Sequence, residues 1–293
     1  MCVHSHLQHF AHMSQTSQPE PAPAATDQGG AAGGPATVDL IDRSFAGRAA
    51  LGTGVSMAVL RRVARGDLPS TVRLHRTGRI LAFGRIDRLA PGYPQAVAIA
   101  RRQGFEPIER MAGGRAAVFT EGTLCFSWAS RIRSMAAGTH DRFRLMAEIV
   151  AATLGRVGVD ARIGEVAGEY CPGQWSVNAS GRVKLAGIGQ RMVSGGAHVG
   201  GVLVVRGEEQ IREVLVPVYE ALGLEWLPET AGSVAAALGE GPPADDDADP
   251  LLEAVRDAFR AELEERFAVR ESEIDAETLR MAEGFRDFHA PSV

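Results

Sequence analysis

The sequence has few cysteines and no long apolar run. Only three of its 293 residues are cysteine, at Cys2, Cys125 and Cys171, and no two of them form a Cys-x-x-Cys pair. An odd number of scattered cysteines argues against a disulfide scaffold and for a reducing compartment. No apolar stretch reaches the roughly 18 residues that a membrane-spanning helix needs, and the N-terminus lacks the apolar segment of a signal peptide. We therefore expect a cytoplasmic protein that does not enter a membrane.

An excess of positive charge is also absent. The formal net charge is −5 at pH 7, whereas domains that bind nucleic acid carry a basic surface. We therefore expect no nucleic-acid partner. Hydrophobic residues make up 45% of the chain and charged residues 23%, which is enough for one large domain with a substantial core, with or without an appendage.

The two ends of the chain differ in composition from its middle. Residues 1–36 are rich in Gln, Ser, Pro, Ala and Gly, which predicts a disordered tail. Residues 236–250 are acidic and rich in proline, which predicts a linker. Together these segments leave a main domain over residues 45–235 and a C-terminal segment over 251–293. The tail contains four histidines, which we interpret as incidental because no cysteine or carboxylate set accompanies them: His4, His6, His9 and His12.

The C-terminal segment shows a helical pattern of its own. Apolar residues recur every fourth position from Leu251 to Phe267, with acids and arginines between them. Such a helix needs a groove, either on the main domain or on a second copy of the chain. We expect it to dock on the main domain, and the oligomeric state stays open.

Alternating helix and strand patterns fill the main domain. Three- and four-residue apolar spacing predicts helices over 50–65, 94–103, 141–154 and 211–221. Short apolar runs predict strands over 71–74, 80–83 and 199–205, the first two as a hairpin around Thr77 and Gly78. Cys125 lies in the apolar run LCFSW, where we expect a core residue.

The stretch from 168 to 205 combines a cysteine, a lysine and several glycines. Residues 171–173, Cys-Pro-Gly, predict a turn in which proline sets φ and glycine accepts a positive φ. Val183 and Leu185 alternate with Lys184, so we expect the lysine to face a cleft on the opposite side of its strand. Gly187 indicates a bulge or a close approach to a ligand.

A second glycine-containing loop precedes this stretch. Gly113 and Gly114 stand between Arg110 and Arg115, which supplies bare amides beside fixed positive charge. The combination suits a carboxylate, a phosphate or an acyl carbonyl. The same residues also fit a hairpin turn.

The order of these motifs resembles the biotin/lipoate protein ligase catalytic-domain family. Cys-Pro-Gly followed by Gly-Arg-Val-Lys-Leu-Ala-Gly-Ile-Gly-Gln-Arg over residues 181–191 is most similar to the cysteine-bearing octanoyl/lipoyl amidotransferase branch, with Val183 as one extra residue. The resemblance extends over about residues 69–227. It implies an α+β fold, a mixed and mainly antiparallel sheet flanked by helices, here with a C-terminal helical appendage.

The resemblance also implies a set of site residues. Cys171 would be the nucleophile, and Lys184 would lower its pKa and stabilise the oxyanion beside the reacting carbonyl. His198 is the one histidine of the stretch, and it would serve either as a base or as a structural residue. No metal ligands are implied. The substrate-binding positions, with Ala117 inserted into the family pattern, are Arg110, Gly113, Gly114, Ala116, Val118, Gly187, Gln190, Arg191 and His198.

Three functions remain open at this point. The first is an acyltransferase that moves an octanoyl or lipoyl group through a Cys171 thioester to a lysine of a lipoyl-domain or H-type carrier protein, without a cofactor. The second is a lipoate ligase that uses ATP and Mg²⁺ to form lipoyl-AMP. The third is a non-catalytic protein that binds an acyl chain or a partner. The family's ATP-dependent ligases show a third glycine and a histidine where Arg115 and Thr120 stand here, which favours the first.

Overall fold

An eight-stranded mixed sheet organises the fold. The computed structural model describes residues 35–45, 48–135, 137–241, 249–285 and 289–291, so the four histidines of the tail and residues 242–248 of the predicted linker lie outside the described residues. The strands are β1 (Thr37–Asp42), β2 (Thr71–His75), β3 (Ile80–Phe83), β4 (Glu106–Glu109), β5 (Ala117–Phe119), β6 (Thr123–Arg131), β7 (Ala161–Ile163), β8 (Val177–Ala179), β9 (Val183–Val193), β10 (Gly196–Val204) and β11 (Ala268–Glu271).

Helices flank this sheet on both sides. They are α1 (Ala49–Arg65), α2 (Tyr93–Arg102), α3 (Thr139–Arg156), α4 (Glu208–Leu222), α5 (Val234–Leu238), α6 (Pro250–Arg266) and α7 (Ala276–Gly284). Within the described ranges, no helix combines the length and the apolar character needed to span a bilayer.

The strands form two sheets. The large sheet has the order β11-β1-β2-β6-β10-β9-β8-β7, in which β1 pairs in parallel with β11 and β2 while the remaining pairs are antiparallel. The small sheet has the order β4-β3-β5. The mixed, mainly antiparallel sheet with flanking helices agrees with the predicted fold class.

Side-chain alternation gives the large sheet two different faces. Leu124, Phe126 and Trp128 of β6 join the core cluster that contains buried residues of α3 and α6. Cys125 and Ser127 point the other way, toward α1 and the small sheet. The large sheet therefore has the main core on one face and the candidate site on the other.

The C-terminal helix docks on the main domain, as expected. Asp249 caps α6 by accepting hydrogen bonds from the amides of Leu251 and Leu252. The Phe259 ring is fully buried and lies 5.5 Å from the Phe126 ring, centroid to centroid. The same segment also supplies β11 to the large sheet, so it contributes more to the fold than a helical appendage would.

The strands differ from the expectation in two respects. The predicted strands at 71–74 and 80–83 exist, but they do not form a hairpin, because β2 lies in the large sheet and β3 in the small one. Residues 71–75 alternate polar and apolar side chains, but nearly all residues of both strands are buried, so the alternation does not specify which strand each one pairs with. The strand β1 was not predicted, and it lies before the expected domain start at residue 45.

Candidate active site

A cavity of about 470 Å³ lies between the large sheet, α1 and the small sheet. This volume is within the roughly 300–1,000 Å³ range of small-molecule sites. The small sheet contributes an apolar wall made of Ile80, Ala82, Ile108 and Phe119. Cys171 and Lys184 both line the cavity, so the structure brings the two predicted catalytic residues to one space.

Cys171 has an unusual backbone conformation. Its φ is 43°, a left-handed value that is rare for a residue with a side chain, and Gly173 is not among the residues with positive φ. The chain bends at Cys171, but the hydrogen-bonded turn follows at 173–176, where the Ser176 amide donates to the Gly173 carbonyl at 2.9 Å, and the strained position is the cysteine and not the glycine. The Cys171 amide donates to Tyr219 Oη at 2.9 Å, and its carbonyl accepts from Lys184 Nζ at 2.8 Å. Two distant elements thus hold the strained residue from both sides.

The sulfur of Cys171 itself accepts two hydrogen bonds. Arg110 Nη2 and the Arg115 amide each lie 3.2 Å from Sγ. Burial raises the pKa of this thiol, but the charges of Arg110 and Lys184 and the two hydrogen bonds outweigh burial and lower the pKa below its usual value. The site therefore favours the thiolate, which is the nucleophilic form of cysteine.

Gly114 makes this arrangement possible. Its φ is 103°, and a Cβ at this position would lie 1.9 Å from Arg110 Nη2 and 2.8 Å from Cys171 Sγ. Any side chain would therefore separate the arginine from the sulfur. Gly113 has open space around it and lines the cavity.

The rest of the glycine-containing loop differs from the expectation. Ala116 and Val118 are fully buried in the core beneath α2 and α4 and do not line the cavity. Ala117 and Phe119 line it instead, because the chain has already entered β5, where alternate side chains face opposite sides. Ala116 still belongs to the site through its carbonyl, which accepts a hydrogen bond from Tyr219 Oη at 2.9 Å.

Lys184 is the only lysine in the sequence, and it is almost completely buried. Its ammonium forms an ion pair with Glu169 Oε1 at 2.9 Å and donates to the carbonyls of Tyr170 (3.0 Å) and Cys171 (2.8 Å). These three acceptors use all three N–H groups of the ammonium. Lys184 lines the cavity, as expected for a residue that faces a cleft, but its ammonium is fully hydrogen bonded to the protein, because a buried charge requires a partner.

Glu169 completes the surroundings of this lysine. Its carboxylate is also buried, and it accepts hydrogen bonds from Ser176 Oγ at 2.5 Å and from the Val166 amide at 3.0 Å. A register shift between β8 and β9 places Lys184 and Gly187 side by side although they are three positions apart. Gly187 lines the cavity beside the lysine stem.

Three further predicted residues lie elsewhere around the cavity. Gln190 lines it and accepts from Arg142 Nε at 2.7 Å, whereas Arg191 does not line it. His198 lines it but forms no hydrogen bond with Cys171 in the described part of the chain. Burial and the charge of Arg73 lower the pKa of His198 to about 3, so its imidazole is neutral at pH 7.

The second described cysteine behaves as expected for a core residue. Burial raises the pKa of Cys125 to about 12, with smaller opposing contributions from Thr77 and Arg73. A neutral, buried thiol is a poor nucleophile. Of the two described cysteines, Cys171 is therefore the stronger candidate for a nucleophile.

Sequence reasoning missed several contributors. Tyr219 lies on α4, far from Cys171 in the sequence, and no local pattern marks it. Glu169 is two residues before Cys171, but a single acid usually indicates a solvated surface. Lys184 is the only lysine of the sequence, and this fact could have marked it as a functional residue.

The chain is similar to known proteins in sequence and in fold. The family model described as lipoyl protein ligase A/B catalytic domain matches residues 53–256. An octanoyl-[GcvH]:protein N-octanoyltransferase of Geobacillus kaustophilus is 29% identical over 62% of this chain and 66% of its own length. The protein of the same name from Lysinibacillus sphaericus is 27% identical over 59% of this chain and 64% of its own length. The chain thus spans less than two thirds of these relatives.

A solved structure agrees with the fold. The crystal structure of lipoate-protein ligase A bound with ATP has a TM-score of 0.65 at 20% identity, and it covers 85% of this chain and 94% of its own. This similarity concerns the arrangement of helices and strands.

Proposed function

Because the chain belongs to the lipoyl protein ligase A/B catalytic domain family, we propose that it is a protein acyltransferase that carries an octanoyl or lipoyl group as a thioester on Cys171. The observation that carries the proposal is the environment of the sulfur: two N–H donors hold it, with a lowered pKa, beside an apolar cavity. The relatives' name supports octanoyl transfer from an H-type carrier to a protein nitrogen.

In the first step, the Cys171 thiolate attacks the carbonyl carbon of the donor's acyl group. A C–S bond forms, the bond between the acyl carbon and the donor breaks, and the donor leaves with a proton. Arg110 and the Arg115 amide, which already point at the sulfur, are placed to donate to the oxyanion that develops on the neighbouring carbonyl oxygen.

In the second step, the neutral amine of an acceptor lysine attacks the thioester. The C–N bond forms, the C–S bond breaks, and the amine loses a proton while the Cys171 thiolate is regenerated. We propose that the acceptor is a lysine of a lipoyl-domain or H-type carrier protein. Lys184 cannot replace this acceptor, because its ammonium is buried and fully hydrogen bonded.

The cavity holds the chain of the acyl group. Burial of about seven carbons at about 0.8 kcal/mol each stabilises the bound state by roughly 5 kcal/mol. No nucleotide takes part in either step, so we propose a reaction without ATP or Mg²⁺ in the cytoplasm.

Mass spectrometry tests the proposal directly. Incubation with octanoylated H-type carrier in the absence of nucleotide is expected to add one octanoyl mass, removable by hydroxylamine, to the peptide that contains Cys171. The only lysine is buried, which limits competing amide adducts. The Cys171→Ser variant should not acquire the hydroxylamine-labile thioester, and the Cys125→Ser variant should acquire it normally. An absolute requirement for ATP would support the ligase alternative, and no adduct under either condition would support a binding protein.

A further inference from the structure

The end of the cavity beside α1 and β2 is polar. Ser127 and His198 line it and are only 6% and 7% exposed, and the buried Nδ1 of neighbouring His75 has no hydrogen-bond partner within the described ranges. His75 and Ser56 lie beside them on the same lining. Buried polar groups in folded proteins are nearly always satisfied. This end of the cavity therefore suits an occupant that forms hydrogen bonds.

Strand register gives the distance between the two ends. Gly189 pairs with Gly200 and Gly200 with Ser127, which makes one row across β9, β10 and β6. Two steps between neighbouring strands span about 10 Å. The seven C–C bonds of an octanoyl chain extend over about 9 Å. Because the Cys171 carbonyl is hydrogen bonded to Lys184 of β9, a chain that starts at Cys171 brings its terminal carbon toward Ser127.

A buried cation lies behind this polar end. Arg73 is 1% exposed, and its Nη1 donates to Ser56 Oγ at 2.6 Å and to the Gly52 carbonyl at 3.2 Å. Among the described residues, no carboxylate forms an ion pair with it, and its Nε and Nη2 have no partner. Because Ser56 Oγ accepts from the arginine, its own O–H is available to donate. The surroundings thus favour an oxygen acceptor.

The neighbouring histidines add no positive charge of their own. Burial lowers the pKa of His198 to about 3 and, together with Arg73 and His198, lowers the pKa of His75 well below its usual value. A neutral imidazole offers one donor and one acceptor. The polar groups at this end are therefore the hydroxyls of Ser56 and Ser127 and two neutral imidazoles, with Thr53 and Thr77 also on the lining and the Arg73 charge behind them.

We propose, on the basis of the proposed acyl transfer, that this cavity binds medium-chain acyl groups whose terminal carbon carries an oxygen, as a hydroxyl or a carboxylate. The carbonyl end of such a group lies at Cys171, its methylene chain contacts Ile80, Ala82 and Phe119, and its terminal oxygen accepts hydrogen bonds from Ser127 and His198.

Equilibrium binding tests the preference without any catalytic step. The Cys171→Ala protein is titrated by calorimetry with octanoate, 8-hydroxyoctanoate and octanedioate. At least one of the two oxygenated acids is expected to bind about tenfold more tightly than octanoate, and the comparison between them distinguishes hydroxyl from carboxylate. Octanoate binding as tightly as both would overturn the proposal, since water would then fill the polar end.

Substitutions at the polar end locate the effect. Ser127→Ala in the same background should abolish the preference while octanoate binding stays unchanged. Ser130→Ala is the matched control, because Ser130 is on β6 but does not line the cavity. A preference that survives Ser127→Ala together with His198→Leu would contradict the assignment. If a variant does not fold, the ranking of the three acids by the Cys171→Ala protein still decides the question.

The outcome is separable from that of the proposed function. A Cys171 thioester without any preference for oxygenated acids would leave the acyl transfer standing and remove this inference. A clear preference without thioester formation would support this inference and remove the proposed acyl transfer.

Discussion

The Tyr219 hydroxyl joins the two loops that form the thiol site, and its removal is the most informative single change. It accepts from the Cys171 amide and donates to the Ala116 carbonyl, each at 2.9 Å. Ala116 directly follows Arg115, whose amide donates to Cys171 Sγ. One hydroxyl therefore fixes the distance between the sulfur and the donor that stabilises its negative charge.

The Tyr219→Phe variant loses both hydrogen bonds and leaves a buried N–H and a buried C=O without partners. Each such loss costs about 1–3 kcal/mol, so the free energy of unfolding should fall by about 2–6 kcal/mol. The pKa of the Cys171 thiol should rise, because the sulfur moves relative to Arg110 and the Arg115 amide. A loss of about 1.4 kcal/mol in thiolate stabilisation makes alkylation near pH 7 about tenfold slower.

The assay is the rate of iodoacetamide alkylation of Cys171 against pH, with urea unfolding measured in parallel. Tyr93→Phe is a matched control, since Tyr93 is buried in the same core cluster and its hydroxyl donates to Glu109 instead of contacting Cys171. Both variants should lose stability, but only Tyr219→Phe should move the alkylation profile to higher pH. Coincident profiles for the wild type and Tyr219→Phe would refute the reasoning and leave Tyr219 a purely structural residue.

Three further changes test other parts of the structure. Arg110→Gln removes a positive charge from Cys171 Sγ, so the thiol pKa should rise and the pH profile of alkylation should move upward; an unchanged profile would exclude Arg110 as the main stabiliser. Glu169→Gln leaves Lys184 buried without a counter-charge and should cost about 3–5 kcal/mol in urea unfolding, with a smaller loss when Lys184→Met is added. Phe259→Ala should cost about 3–5 kcal/mol in a single unfolding transition, whereas a separate low-stability transition would show that α6 folds independently.

Much of the fold was predictable because long amphipathic patterns survive tertiary context. The predicted helix at 94–103 is observed as α2, Tyr93–Arg102, and the strand at 80–83 is β3. Strand pairing was not predictable, since nearly all residues of β2 and β3 are buried and the polar–apolar alternation of β2 does not identify its neighbouring strand. The strand β11 has only four residues, mostly exposed, and its position follows from pairing with β1.

The candidate site was predictable only where its chemistry is local in sequence. The order of Cys-Pro-Gly and a lysine-bearing strand was enough to expect Cys171 and Lys184 around one cavity. The acceptor of the Cys171 amide was not, because Tyr219 comes from a helix in another part of the chain. Ala116 and Val118 lie in the core while Ala117 and Phe119 line the cavity, because side chains alternate along β5, and the order of motifs does not fix which face each residue takes.

The two cations of the site have different capacities, and this difference divides their roles in the proposed reaction. Lys184 donates all its N–H groups to Glu169 and to two carbonyls. It therefore holds the conformation of Cys171, and its charge lowers the pKa of the thiol. Arg110 lines the cavity, donates to the sulfur through Nη2 and has an Nε without a partner in the described part of the chain. A guanidinium keeps its proton at any physiological pH and presents several donors in one plane. Arg110 can therefore follow the negative charge from the sulfur to the carbonyl oxygen during attack, a movement that the fixed ammonium of Lys184 does not permit.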